Sequence, residues 1–123
     1  MTSSNETEFP AWQSGRYIGL AELLIRLGGL ALDLEWACNV EEAAPEPGNE
    51  KIEELRPDAP VTTLNLLSLV SPDRQIIDGR FEGYSHKSGE MIISIQAVDS
   101  TSWVVESKES SIVTLFSEIY SGA

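Results

Sequence analysis

Apolar residues along this chain change their spacing several times, and each change marks a predicted element. Between Ser14 and Leu27, the residues Tyr17, Leu20, Ala21, Leu24 and Leu27 recur at helical spacing with Ile18 and Ile25 beside them. This predicts a helix with Ser14 as its N-cap. Only Gly15, Gly19, Glu22 and Arg26 remain for water; Glu22 and Arg26 sit one turn apart in the favourable order, and Gly28-Gly29 supplies the stop. The period then drops to two. Leu30, Leu32, Leu34, Trp36, Cys38 and Val40 alternate with Ala31, Asp33, Glu35, Ala37, Asn39 and Glu41, the pattern of a strand with one buried and one wet, acidic face.

Residues 41–60 carry no regular pattern. They hold Pro45, Pro47, Gly48, Pro57 and Pro60, with seven acidic against two basic side chains. Asn49 to Leu55 suits one or two helical turns, and the rest reads as a mobile acidic loop, since so long a connection in a compact domain is usually functional or disordered. From Val61 onward the chain reads as a meander. Val61 to Val70 has Leu64, Leu66 and Val70 on one face and Leu67 and Leu69 on the other, suggesting a central strand that Ser71-Pro72-Asp73 turns. Arg74 to Ser85 follows, with Ile77 and Phe81 on one side and Asp78, Arg80, Glu82 and Tyr84 on the other. Glu90 to Val98 and Thr101 to Glu106 then pair around Asp99-Ser100. A last helix from Ser107 to Tyr120 aligns Ile112, Leu115, Phe116 and Ile119.

These elements predict an α+β domain spanning 14–123, an antiparallel sheet of about five strands packed by N-terminal and C-terminal helices, after a flexible leader at 1–13. Within the leader, Phe9-Pro10-Ala11-Trp12 offers two aromatics to pin it to the body. At 123 residues and 41% hydrophobic composition the chain supports one core. The longest apolar region, Ile18 to Ala37, is interrupted by Glu22, Arg26, Asp33 and Glu35 and does not read as a membrane span. The start lacks the basic and apolar segments of a signal peptide, and the lone Cys38 fits a reducing compartment, so the expected location is the cytoplasm of a prokaryote or a phage-infected cell.

Charge narrows the function more than any motif does. Twenty carboxylates face eight cationic side chains, a net charge of −12 that repels nucleic acid and membranes and attracts basic proteins. His86 is the only histidine, in the turn Ser85 to Gly89, and Cys38 falls on the apolar side of its strand, where a thiolate is disfavoured. No catalytic residue, metal or cofactor is therefore expected. Asp78, Arg80 and Glu82 share a strand face, as do Asp33 and Glu35, without metal-loop spacing. Neither Gly15 to Gly19 nor Gly79 to Gly83 completes a phosphate-loop pattern. Scattered basic residues predict no direct nucleic-acid binding.

The segment Ile92 to Ser121, with two strands, an aromatic-Val run ending in Glu106-Ser107, and Glu109-Ser110-Ser111-Ile112-Val113 opening a helix with Phe116, resembles part of the small acidic anti-CRISPR proteins that inhibit Cas9. In general character the chain is also similar to the acidic bacterial immunity proteins that block basic nuclease toxins. Both resemblances imply a non-enzymatic inhibitor of a basic, nucleic-acid-handling protein. The residues expected to meet it are Asp33 and Glu35 on the first strand, Glu41, Glu42, Glu46, Glu50, Glu53 and Glu54 on the loop, and Asp78 and Glu82. The alternatives are a regulatory domain that senses an apolar ligand between sheet and helices, or a structural subunit or chaperone.

Overall fold

The computed structural model describes residues 5–121 and has an α+β fold. Strands β1 (Asn5–Pro10), β4 (Leu34–Ala43), β5 (Val61–Thr62), β6 (Ile76–Ser85), β7 (Met91–Val98) and β8 (Ser102–Ser107) form one six-stranded sheet in the order β1-β8-β7-β6-β4-β5. Every pairing in it is antiparallel. A small ribbon, β2 (Trp12–Gln13) and β3 (Arg16–Tyr17), stands apart. Helices α1 (Leu20–Leu27), α3 (Thr63–Val70) and α4 (Ser110–Tyr120) cover one face of the sheet, and the single turn α2 (Glu50–Glu53) lies beside β4.

The centre of the core is Trp36, fully buried on β4. Opposite it on β6 stands Gly83, where a Cβ would come within 3.1 Å of the Trp36 ring and 3.0 Å of Ile93, so any larger residue would press the indole and Ile93 aside. The indole nitrogen donates to Thr63 Oγ1 at 2.8 Å, and that hydroxyl donates to the carbonyl of Ala31. One threonine thus joins β4, the start of α3 and the turn before β4. At the other end Trp103 donates to the carbonyl of Ile18 at 2.6 Å, and Phe9 of β1 stacks on Tyr120 of α4 with ring centroids 4.8 Å apart.

Several sequence expectations change here. The first helix begins at Leu20, not Ser14: Ser14 and Gly15 both have positive φ and close the β2–β3 ribbon as a two-residue turn, with Trp12 opposite Tyr17. Residues Gly28–Asp33 form a 3-10 helix, so the first long strand starts at Leu34 and Leu30 and Leu32 point to solvent. Gly28, at φ 62°, ends α1 and admits the turn. The expected central strand at 61–70 is mostly helix α3. Its leucines are good helix formers, Thr63, Leu66 and Val70 share one face, and Thr62 caps it by accepting from the Asn65 amide at 3.2 Å. The sheet reaches six strands because residues 5–10 of the expected leader pair with β8 along their whole length. On α4, Val113 and Tyr120 join Ile112 and Phe116 inside, leaving Leu115 and Ile119 partly buried.

The segment read as a mobile acidic loop has specific anchors. Residues 41–43 continue β4, Ile52 is fully buried, and the buried Asn49 donates to the carbonyl of Ala44 at 2.8 Å while accepting from Arg74 at 2.8 Å. On the helix side, Glu22 accepts from Arg16 and from the Tyr120 hydroxyl, each at 2.6 Å. Partial burial pulls the Glu22 carboxyl up, but these hydrogen bonds outweigh it and hold it below its ordinary value. Burial, reinforced by the bond to Glu22, pushes the Tyr120 phenol up to about 12.

Two measurements test this packing. Thr63→Val, which strands the Trp36 N–H and the Ala31 carbonyl, should lower unfolding free energy by about 2–4 kcal/mol in urea titrations, whereas Thr63→Ser should lose about 1 kcal/mol or less. Equal losses in the two variants would remove the hydroxyl from its central role. Because the folded-state pKa of Glu22 is depressed, its contribution exists above the unfolded value of 4.5 and disappears as pH falls through the folded one. Glu22→Gln should therefore be less stable than wild type at pH 7, with the two curves converging in acid below pH 4.5.

Candidate functional site

The alternation that sends Trp36, Cys38, Phe81, Ile95, Trp103 and Val105 under the helices sends their neighbours to the opposite face, which is exposed or half-exposed apart from Ser94. Register builds that face in rows. Ala37, Glu82, Ser94, Glu106 and Glu6 lie side by side across β4, β6, β7, β8 and β1. The next row is Asn39, Arg80, Gln96, Val104 and Glu8. Glu35 and Tyr84 extend it at one end; at the other a bulge in β4 sets Glu42 opposite Asp78, and Glu41 and Asp78 edge a recess of about 350 Å³ with Asn39, Arg80 and Gln96.

The charge on this face is one-sided. Among the described residues, Glu6, Glu8, Glu35, Glu41, Asp78, Glu82 and Glu106 stand around a single cation, Arg80. Glu6 and Glu106 are direct cross-strand partners, a like-charge pairing that disfavours the sheet. The other arginines are used elsewhere: Arg16 and Arg26 on the α1–α4 side, Arg74 against Pro47 and Asn49, and Arg56 on the carbonyls of Glu53 and Leu55.

Four of the residues expected to meet a partner, Glu35, Glu41, Asp78 and Glu82, thus come together on the open face. Asp78 also accepts from the Asp99 amide at 2.9 Å and holds the β7–β8 turn. Glu42, Glu46, Glu50 and Glu53 line a separate recess of about 630 Å³, with Glu54 outside it. Two of these have local duties, Glu53 accepting from the Ala43 amide at 3.0 Å and Glu50 from Gly48 at 3.1 Å. Asp33 is structural: its carboxylate accepts from Ser85 Oγ at 2.9 Å and its carbonyl from the His86 amide at 2.8 Å. Sequence reading missed Glu6, Glu8 and Glu106. The signal was there, since Glu6-Thr7-Glu8-Phe9 alternates with period two and Glu106 ends an expected strand.

His86 lies at the rim of the face, its Nδ1 2.7 Å from Glu35 Oε1, with the two side chains 74% and 42% exposed. Cys38 faces the helices, and burial pushes its thiol up to about 12, so it holds its proton at neutral pH on the side of the sheet away from His86. Among the described residues no three His, Cys, Asp or Glu side chains converge as a metal site, and no helix is long and apolar enough to cross a membrane. No family model, curated protein or solved structure matches this chain.

The opposed glutamates give a direct test of the face. Glu106→Gln should raise stability by a few tenths to about 1 kcal/mol at low salt. The gain should shrink at 1 M salt, where screening acts over about 3 Å. Thermal unfolding at the two salt concentrations reads both effects; a loss of stability would mean that Glu106 is held by favourable contacts instead.

Proposed function

We propose that this protein is a non-enzymatic inhibitor that works by binding: an acidic immunity or anti-defence protein of the cytoplasm that occupies the basic surface of a nucleic-acid-handling protein. The observation that carries this reading is the segregation of charge, with seven carboxylates and one arginine on the uncovered face of a six-stranded sheet. Folding alone disfavours such an arrangement, and a Glu6–Glu106 pairing on it most of all. A basic cleft that evolved to hold phosphates meets here a rigid plane of negative groups, so the two ligands compete for one surface.

Rigidity and charge act on different parts of the binding process. The carboxylates project from paired strands, so little backbone has to be ordered on association. Their field, together with the net charge of −12, accelerates encounter with a cationic partner by tens to a thousandfold at low salt. A cavity for an apolar ligand has less support: the sheet–helix interface is filled by Trp36, Trp103, Phe81 and Phe116, all fully buried.

The experiment starts from a partner captured in the native host and authenticated by direct binding. Neutralising Glu6, Glu8, Glu82 and Glu106 to Gln together should slow association at least about tenfold at low salt and flatten its salt dependence. Neutralising Glu46 and Glu54 should have a smaller effect. An unchanged association rate and salt slope in the sheet variant would remove this face from the interface, and cleavage or turnover of the partner by the wild-type chain would remove the inhibitor reading itself.

A further inference from the structure

At the rim of the open face the strands end in a recess of about 380 Å³ whose lining differs from the rest of the surface. Glu35 on β4 and Tyr84 on β6 are cross-strand partners, so their side chains stand next to each other on the uncovered face. Ala37, the next outward residue of β4, is short and leaves space beside them. Pro57 and Pro60, from the connection between α2 and β5, wall the recess, and His86 closes one side through its contact with Glu35. An aromatic ring, two rigid pyrrolidines and one carboxylate thus border a single opening.

Resting on the inhibitor reading, we propose that this recess is the anchor point of the interface and takes one arginine side chain of the basic partner. Charge complementarity selects a cation: the recess opens on a face bearing seven carboxylates, and Glu35 lies on its wall. The walls select arginine over lysine. A guanidinium is planar and weakly hydrated, stacks on aromatic and prolyl surfaces, and presents paired N–H donors to a carboxylate, whereas an ammonium keeps its water and gains little from Tyr84. Glu35 keeps Oε2 for the incoming donors while His86 Nδ1 stays on Oε1. Tyr84 is half-covered already and the proline rings are rigid, so the slot loses little freedom when filled.

Binding of N-acetylated, amidated hexa-arginine and hexa-lysine to the whole protein, measured by calorimetry at low salt with ring-proton NMR of Tyr84 and His86, tests the slot. Hexa-arginine should bind about fivefold tighter than hexa-lysine and shift both rings. The preference should fall to about one in Glu35→Gln and in Tyr84→Leu, which keeps apolar bulk without the ring. Glu106→Gln, on the same face outside the recess, should weaken both peptides alike and keep the preference. Equal affinities in the wild type would overturn the slot while leaving the acidic face as a binding surface. So would a preference that survives both recess variants. Failure of both peptides to bind would overturn the slot and the reading of the face together. Retained circular dichroism of the variants separates loss of the slot from loss of the fold.

Discussion

Trp36 gives its indole proton to Thr63, and the hydroxyl of Thr63 passes its own to Ala31. Both bonds are buried, where an unmade partner costs about 1–3 kcal/mol. Together they fix where the 3-10 turn ends and β4 begins. With Trp36 held above Gly83, Glu35 must lie beside Tyr84 and Ala37 beside Glu82. Side chains alternate with period two, so a slip of one residue would exchange the two faces of β4 and send its carboxylates under the helices. The acidic surface is therefore a consequence of core packing several ångströms away, on the far side of the sheet.

That surface works against the fold that displays it. Helices cover only one face, and the other could have been solvated by mixed charges with pairs arranged across strands. Instead Arg80 alone stands among the carboxylates, and Glu6 faces Glu106. The chain tolerates this because the covered side is well filled, with Trp36, Trp103, Phe9, Phe81 and Phe116 all buried, and because Phe9 fastens the β1 edge through Tyr120. Stability thus comes from one side of the sheet and, on the proposed reading, recognition from the other, joined by the same strands.

Much of this was legible in the sequence wherever period-two alternation ran without competition. The later strands, the turn at Asp99-Ser100 and the last helix lie close to their expected positions, and the outward set Asp78, Arg80, Glu82 and Tyr84 is as read. Errors arose where a run fits two periods. Leu64, Leu66, Leu67 and Leu69 alternate well enough for a strand, yet Thr63, Leu66 and Val70 also align on a helix, and the Thr62 cap decides between them. Leu30 and Leu32 continue the alternation of β4 by coincidence, because Gly28-Gly29 permits a 3-10 turn that local pattern does not reveal. The open face was only half legible for a different reason: its Glu6, Glu8 and Glu106 come together through pairing of the first strand with the eighth, across nearly the whole chain.

The two acidic regions differ in what they offer a partner. Around α2 the carboxylates of Glu50 and Glu53 are spent on backbone amides, and Ile52 and Asn49 tie the segment to the body. Its remaining charges, Glu42 and Glu46 at the recess and Glu54 outside it, are exposed and suit long-range attraction. The sheet face is the reverse, a plane with fixed spacing between charges and, at one rim, an aromatic and two prolines beside Glu35. Attraction over a distance depends on total charge and fades with salt, but residence depends on contacts that exclude water. Pro57 and Pro60 belong to the connection that leads from α2 back to β5, so the loop shapes the recess as well as adding to the field. The proline-rich acidic segment and the strand face are on this view one surface, in which the loop supplies a wall and the sheet supplies the floor.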